Sequence, residues 1–177
     1  MASWVALFRG INIGGTSTLR MKDLAAQMQA LGLDEIKTYI QSGNVVFQSP
    51  SRAGNALADR IAESVARHQG FRPQVLVLSA KKYRAAVASN PFPEAAADPK
   101  TLHLFFLASR PRSPDLTWLE ETRRPAERFH LAADVLYLHT PDGFARSKLA
   151  AGVERHLGVP ATARNWRTVG KILELLA

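Results

Sequence analysis

The amino-acid sequence predicts an α+β protein whose first half runs strand, helix, strand, strand, helix, strand and whose second half repeats the theme with an altered end. Three observations carry that prediction. Short apolar runs alternate with stretches whose apolar residues recur at i, i+3 and i+4, the spacing of one helix face. Two pairs of short runs are separated by turn-forming residues, as hairpins require. A proline-bearing segment, Asn90-Pro91-Phe92-Pro93 to Pro99-Lys100, interrupts the pattern near the middle of the chain.

The first half opens with an apolar strand from Trp4 to Phe8. A polar loop follows, and then a helix with Met21, Leu24, Ala25, Met28 and Leu31 on one face, closed by Gly32. Strands from Glu35 to Ile40, with Ile36, Thr38 and Ile40 alternating, and from Asn44 to Gln48 are joined by Gln41-Ser42-Gly43. Ser51 is expected to cap a helix that sets Leu57, Ile61 and Val65 on one stripe and ends near Gly70. The strand Arg72 to Leu78 completes the unit.

After a short helix from Lys81 to Ser89 and the proline segment, an apolar strand runs from Thr101 to Leu107. Ser113-Pro114-Asp115 supplies an N-cap, a first-turn proline and a first-turn acid for a helix reaching about Arg124. Arg128 to Leu131 and Val135 to His139 form the second hairpin. Ser147 caps a helix carrying Leu149, Val153 and Leu157, with Gly158 ending it. Thr162-Ala163-Arg164-Asn165 and a last helix bearing Trp166, Val169, Ile172, Leu173 and Leu176 finish the chain, with no counterpart expected to the strand Arg72 to Leu78. The expected architecture is two ferredoxin-like (βαββαβ-type, α/β plait) subdomains in tandem, the second altered at its C-terminal end. Residues 1–89 form the first, 90–100 a linker, and 101–177 the second with the C-terminal helix.

The chain has 177 residues, 46% of them hydrophobic, enough for one sizeable core or two small fused ones. It has no cysteine, which excludes disulfides, thiolate nucleophiles and cysteine metal sites and fits a reducing cytoplasm. No basic residue precedes Arg9, so the N-terminus does not read as a signal peptide, and no apolar run approaches a membrane span. A cytoplasmic protein without a membrane partner is expected. The formal net charge of +8 favours anionic partners. Residues 1–88 hold 11 Lys and Arg against 5 Asp and Glu, whereas residues 89–177 hold 12 against 10, which places the positive excess mainly in the first half.

Three polar clusters stand out. Gly10-Ile11-Asn12-Ile13-Gly14-Gly15-Thr16-Ser17 departs by one residue from the phosphate-loop pattern G-x-x-x-x-G-K-[ST], with Thr16 where the lysine would reach the phosphates. No acidic strand end is at hand for magnesium, so nucleoside triphosphate hydrolysis is not expected. Backbone amides of a glycine loop can still hold an anion, aided by Arg9, Arg20 and Lys22. Tyr39-Ile40-Gln41-Ser42-Gly43-Asn44 forms a hairpin tip, where Ser, Gly and Asn are also what a tight turn requires. Asn44 and Val46 occupy the positions where an RNA-recognition motif carries its stacking aromatics, so that platform is absent. In Arg164-Asn165-Trp166-Arg167, Asn165 reads as a helix cap and Trp166 as a buried residue, leaving the two arginines as the functional candidates.

Catalytic constellations are sparse. The five histidines, His68, His103, His130, His139 and His156, show no H-x-x-x-H or H-E-x-x-H spacing, and neither a metal nor a cofactor is expected. His103 and His139 are expected on neighbouring strands. Ser147 beside Lys148 reads as a cap rather than a nucleophile, since adjacent helix residues do not face each other.

The segments Val5 to Gly15, Thr38 to Phe47, Asn90-Pro91-Phe92 and Thr162 to Val169 resemble the signature stretches of the bacterial domain-of-unknown-function family numbered 1697. The resemblance spans nearly the whole chain and implies a pair of ferredoxin-like subdomains. It implies no activity. Family members often have a lysine after the double glycine, where this chain has Thr16. Because these stretches coincide with the polar clusters, a basic groove between the two halves is expected. Arg9, Asn12, Gly14 and Gly15, Ser42 and Asn44, and Arg164 and Arg167 would line it, holding an anionic small molecule bearing phosphate, or nucleic acid. Two alternatives stay open: an enzyme acting on a small anionic metabolite, with Tyr39, Asn44 and the arginines steering charge, and a structural or interaction protein.

Overall fold

The computed structural model describes every residue from Met1 to Ala177. The chain forms a mixed α+β protein that divides into two compact units. Unit 1 comprises Met1–Ala85 and Lys171–Ala177, and unit 2 comprises Ala86–Gly170.

Unit 1 contains β1 (Ala2–Arg9), α1 (Met21–Ala30), β2 (Asp34–Tyr39), β3 (Asn44–Ser49), α2 (Gly54–Gln69) and β4 (Gln74–Ser79). Its four strands pair antiparallel in the order β2-β3-β1-β4, so the first strand lies between the third and the last. Leu24 and Met28 of α1, and Leu57, Ile61 and Val65 of α2, pack with Ala6, Phe8, Val45 and Phe47 in one core. These are the residues whose spacing predicts two amphipathic helices. Fully burying each large one contributes roughly 1.5–3 kcal/mol before ordering costs. Val5 and Leu7, on the opposite face of β1, are also fully buried, which is why the run from Trp4 to Phe8 is continuously apolar rather than alternating.

Unit 2 begins within α3 (Ala80–Ala88), whose first residues belong to unit 1, and includes a 3-10 turn at Pro93–Ala97. It contains β5 (Leu102–Leu107), α4 (Leu116–Thr122), β6 (Arg128–Leu131), β7 (Val135–His139), α5 (Lys148–Leu157) and β8 (Ala161–Asn165), followed by α6 (Trp166–Leu175). The strand order is β6-β7-β5-β8, again antiparallel throughout. Phe105, Leu107, Leu136 and Leu138 of the sheet pack with Leu119 of α4 and with Leu149, Val153 and Leu157 of α5. His103 and His139 fall on the neighbouring strands β5 and β7.

Four expectations are corrected. The second unit is not missing its last strand: β8 pairs with β5 from His103↔Asn165 to Leu107↔Ala161. Its sequence, Ala-Thr-Ala-Arg-Asn, lacks large apolar residues, and the ladder to a fully buried neighbour supplies what side-chain burial does not. The start of α2 is at Gly54, and Ser51 only accepts a hydrogen bond from the Ala53 amide. Asp115, not Ser113, caps α4, accepting from the Trp118 amide at 3.0 Å. Ile40 does not continue β2 but turns with a φ of +48° and is 50% exposed. Helix α6 is shared between the two units, its residues from Lys171 onward grouping with unit 1. Ser147 does cap α5, accepting from the Ala150 amide, and Gly158 ends that helix at a φ of +70°.

Candidate functional site

The loop between β1 and α1 is built around one side chain. Asn12 adopts a φ of +55°, a left-handed conformation that Asn tolerates better than most residues. Its Nδ2 donates to the Leu19 carbonyl at 2.8 Å, and the Leu19 amide donates back to Oδ1 at 2.8 Å. The second Nδ2 proton goes to the Gln41 carbonyl at 2.7 Å. The carboxamide therefore closes the base of the loop and ties it to the β2–β3 hairpin, with both of its N–H groups committed to the protein.

Beyond this clamp the chain makes a tight turn, Ile13-Gly14-Gly15-Thr16. The Thr16 amide donates to the Ile13 carbonyl at 3.2 Å, and Gly14 and Gly15 have φ of +62° and +74°. Two successive positive φ values define a type I′ turn, which is why two glycines stand there. The turn is exposed, and the N–H groups of Gly14 and Gly15 have no acceptor in the protein. Arg9 ends β1 just before the loop, with Nη1 donating to Gln74 Oε1 at 3.4 Å. Arg20 and Lys22 follow it, both exposed, with Arg20 near Asp23 at 3.8 Å.

The hairpin tip has its own clamp. Asn44 is fully buried, and its Nδ2 donates to the Tyr39 carbonyl at 3.0 Å and to Ser42 Oγ at 3.1 Å. Ser42 is exposed at the tip. Within unit 1, then, six of the eight residues singled out from sequence lie on or beside two loops joined by the Asn12–Gln41 bond. Asn12 and Asn44 act there as turn-builders.

Arg164 and Arg167 belong to unit 2. Arg164 is half-buried on β8, and its Nη1 donates to the neighbouring Ala163 carbonyl at 2.9 Å. Asn165 caps α6, accepting from the Thr168 amide at 2.9 Å, and Trp166 is half-buried. Arg167 is exposed on the first turn of α6.

The Asn90-Pro91-Phe92 stretch is likewise internally bonded. Asn90 Oδ1 accepts from the Phe92 amide at 3.0 Å, and the Arg128 guanidinium sits 4.6 Å from the centre of the Phe92 ring. Arg128 also bonds Glu94 and approaches His139 Nδ1 at 3.1 Å. The hydrogen bond from Arg128 holds the Glu94 carboxyl below its ordinary pKa. Burial, and then the same cation, lower that of His139. A charge-compensated cluster of this kind fastens the segment to the hairpin β6–β7. No group of three or more His, Asp or Glu side chains is arranged to hold a metal ion, and no helix is long and apolar enough to cross a membrane.

Sequence reasoning passed over two features. The Gln41 carbonyl, which receives Asn12, has no sequence signal because any residue supplies one. Arg110 and Arg112, on either side of Pro111, line a hollow in unit 2; a proline-stiffened basic stretch was the available sign.

The family model described as Protein of unknown function (DUF1697) matches residues 1–137. The match ends within β7, so the stretch Thr162 to Val169 lies outside it. No curated protein matches the chain. Among solved structures, a conserved bacterial protein from Streptococcus pneumoniae is similar, at 22% identity and a TM-score of 0.77 over 99% of each chain. At that identity the likeness is one of fold.

Proposed function

The chain belongs to the DUF1697 family of proteins of unknown function, and on that premise we propose that it is an anion-binding module whose phosphate-bearing ligand is received at the glycine turn of unit 1. The carrying observation is a turn that is both exposed and clamped: Gly14 and Gly15 present N–H groups without a protein acceptor, while Asn12 fixes the loop beneath them. Successive amides in such a conformation suit an anion. A loop held before the ligand arrives loses little entropy on binding. Arg9, Arg20 and Lys22 flank the loop in sequence and add positive charge. In this reading each unit is a ferredoxin-like plait, supported by its element and strand order, and the binding loop is the first strand-to-helix connection. Ser42 and Asn44 serve as hairpin formers, and Arg164 and Arg167 add positive charge to unit 2.

A thermal-shift screen against nucleotides, sugar phosphates and short oligonucleotides tests this. A ligand at 100 times its dissociation constant stabilises the folded state by roughly 2.7 kcal/mol. The triple variant Arg9→Ala, Arg20→Ala, Lys22→Ala is expected to abolish the shift, and a nucleic-acid ligand is expected to weaken steeply with salt. A shift that survives the triple variant, or no shift with any phosphate compound, overturns the assignment.

One observation favours a second reading, a docking face for a protein partner. Ile13 is 67% exposed and Ile40 50% exposed, on the two loops that Asn12 joins, and Ile40 holds a φ unfavourable for a β-branched residue. Under that reading phosphate compounds leave the melting temperature unchanged.

A further inference from the structure

Unit 2 contains a hollow of ≈ 540 Å³ lined by Ser109, Arg110, Arg112, Ser113, Leu157, Gly158 and Val159. We propose that this hollow is a second anion site, independent of the glycine turn, that takes the phosphate dianion of a small phosphate monoester.

The two guanidiniums carry the proposal. Neither Arg110 nor Arg112 bonds or pairs with any other group of the protein, and the hydroxyls of Ser109 and Ser113 have no partner either. No acidic side chain lines the hollow. Two unneutralised forks of N–H donors, with two hydroxyls beside them, match a doubly charged tetrahedral oxyanion in both charge and donor number.

The backbone is suited to hold them. Pro111 stands between the arginines and Pro114 closes the segment, so little chain entropy remains to be lost on binding. Asp115, next in sequence, is occupied elsewhere: it caps α4 and accepts from His156 Nδ1 at 3.3 Å, while its amide donates to the His156 carbonyl at 2.8 Å. That anchoring fixes the end of the segment against α5.

The C-terminal end of α5 borders the hollow, and its partial negative charge opposes an anion. It amounts to about half an elementary charge against two full positive ones. Part of it is already satisfied, since the Gly158 amide takes the Glu154 carbonyl and the Asp115 amide takes that of His156. Leu157 and Val159 add apolar lining to a hollow that is open to solvent, with Ser109, Arg110, Arg112 and Ser113 exposed. No aromatic ring lines it, so a single-stranded nucleic acid would find no stacking surface. The missing stacking surface favours a small phosphate monoester over single-stranded nucleic acid.

The test is a titration of the isotopically labelled protein with inorganic phosphate at pH 8, matched in ionic strength with chloride and followed by amide chemical shifts. Saturable shifts are expected at Ser109, Arg110, Arg112, Ser113, Gly158 and Val159. Arg110→Ala with Arg112→Ala should weaken them at least tenfold, and the paired Lys replacements should restore part of the affinity through charge alone. The triple variant Arg9→Ala, Arg20→Ala, Lys22→Ala should leave these shifts intact, which separates failure here from failure at the glycine turn. Shifts no larger than with chloride, or unchanged in the double Ala variant, overturn the site. Tighter binding of an oligonucleotide lacking terminal phosphates at the same amides overturns the small-ester assignment.

Discussion

Asn12 spends both of its amide protons on backbone carbonyls, Asn44 spans its own hairpin, and Asn165 caps a helix. Each sits in a polar cluster that the sequence marks as a candidate site, and each uses its carboxamide to shape backbone. The chemistry that suits Asn to a ligand, one donor group and one acceptor on a short stem, also suits it to turns and caps. His103 is a different case at the same scale. It is 9% exposed on β5, stacks on Phe144 with ring centres 3.8 Å apart, and its Nδ1 is buried without a partner. Burial lowers its pKa to about 4, so the unfolded chain, near 6.5, binds the proton more readily. Stability attributable to His103 is therefore complete above about pH 6.5 and is lost as pH falls toward 4, by on the order of 3 kcal/mol. Urea denaturation at a series of pH values checks this. His103→Phe is expected to flatten the profile in that window and to leave stability near pH 7.5 little changed.

At the scale of elements, α4 and α5 are joined through a stacked pair. Trp118 lies on His156 with ring centres 3.7 Å apart and planes inclined by 2°. Gly152, in the middle of α5, makes room for the indole: a Cβ there would lie 2.1 Å from Trp118 Cη2. Helix propensity alone favours Gly152→Ala by roughly 1 kcal/mol. The clash reverses the sign, because the ring must leave its position and overpacking costs about 1–3 kcal/mol. Gly152→Ala is thus expected to be destabilising by urea denaturation, with a changed tryptophan emission spectrum in the native state. An unchanged spectrum with raised stability would show that the stack has room to move. Helix spacing predicts the buried faces of α1, α2 and α5 correctly, yet the caps of α2 and α4 fall two residues later than expected. Ser, Asp and Pro near a helix start are interchangeable signals over a few positions, and the backbone geometry chooses among them.

For the whole molecule, the two units share an element order but not a sequence boundary, since the last residues of the chain group with the first unit. Ile172 and Leu176 are buried there, Arg84 donates to the Leu176 carbonyl at 2.6 Å, and Lys37 approaches the Leu175 carbonyl at 3.5 Å. Removing residues 171–177 takes away two buried apolar side chains, worth about 1.5–3 kcal/mol each, together with both acceptors. The truncated chain is expected to lose several kcal/mol in denaturant and to show faster amide exchange around Lys37 and Arg84. Unchanged exchange at those residues would mean that the C-terminal segment contributes nothing to unit 1.

By itself the sequence determined the elements and their order in all but the last strand, β8. Apolar spacing, caps and turn residues are local properties, and a strand such as Trp4 to Phe8 or a helix face such as Leu57, Ile61 and Val65 is written within a few turns of chain. It also determined which residues are polar enough to merit scrutiny. Only the tertiary structure decided that Ala161–Asn165 is a strand, because its reason to extend is the ladder to β5 rather than anything in its side chains. Only the tertiary structure decided that Asn12 reaches Gln41 and that Arg110 and Arg112 share a hollow with Gly158. Those are contacts between residues distant in sequence, and no local pattern encodes a bond whose partner is a backbone carbonyl or an open space.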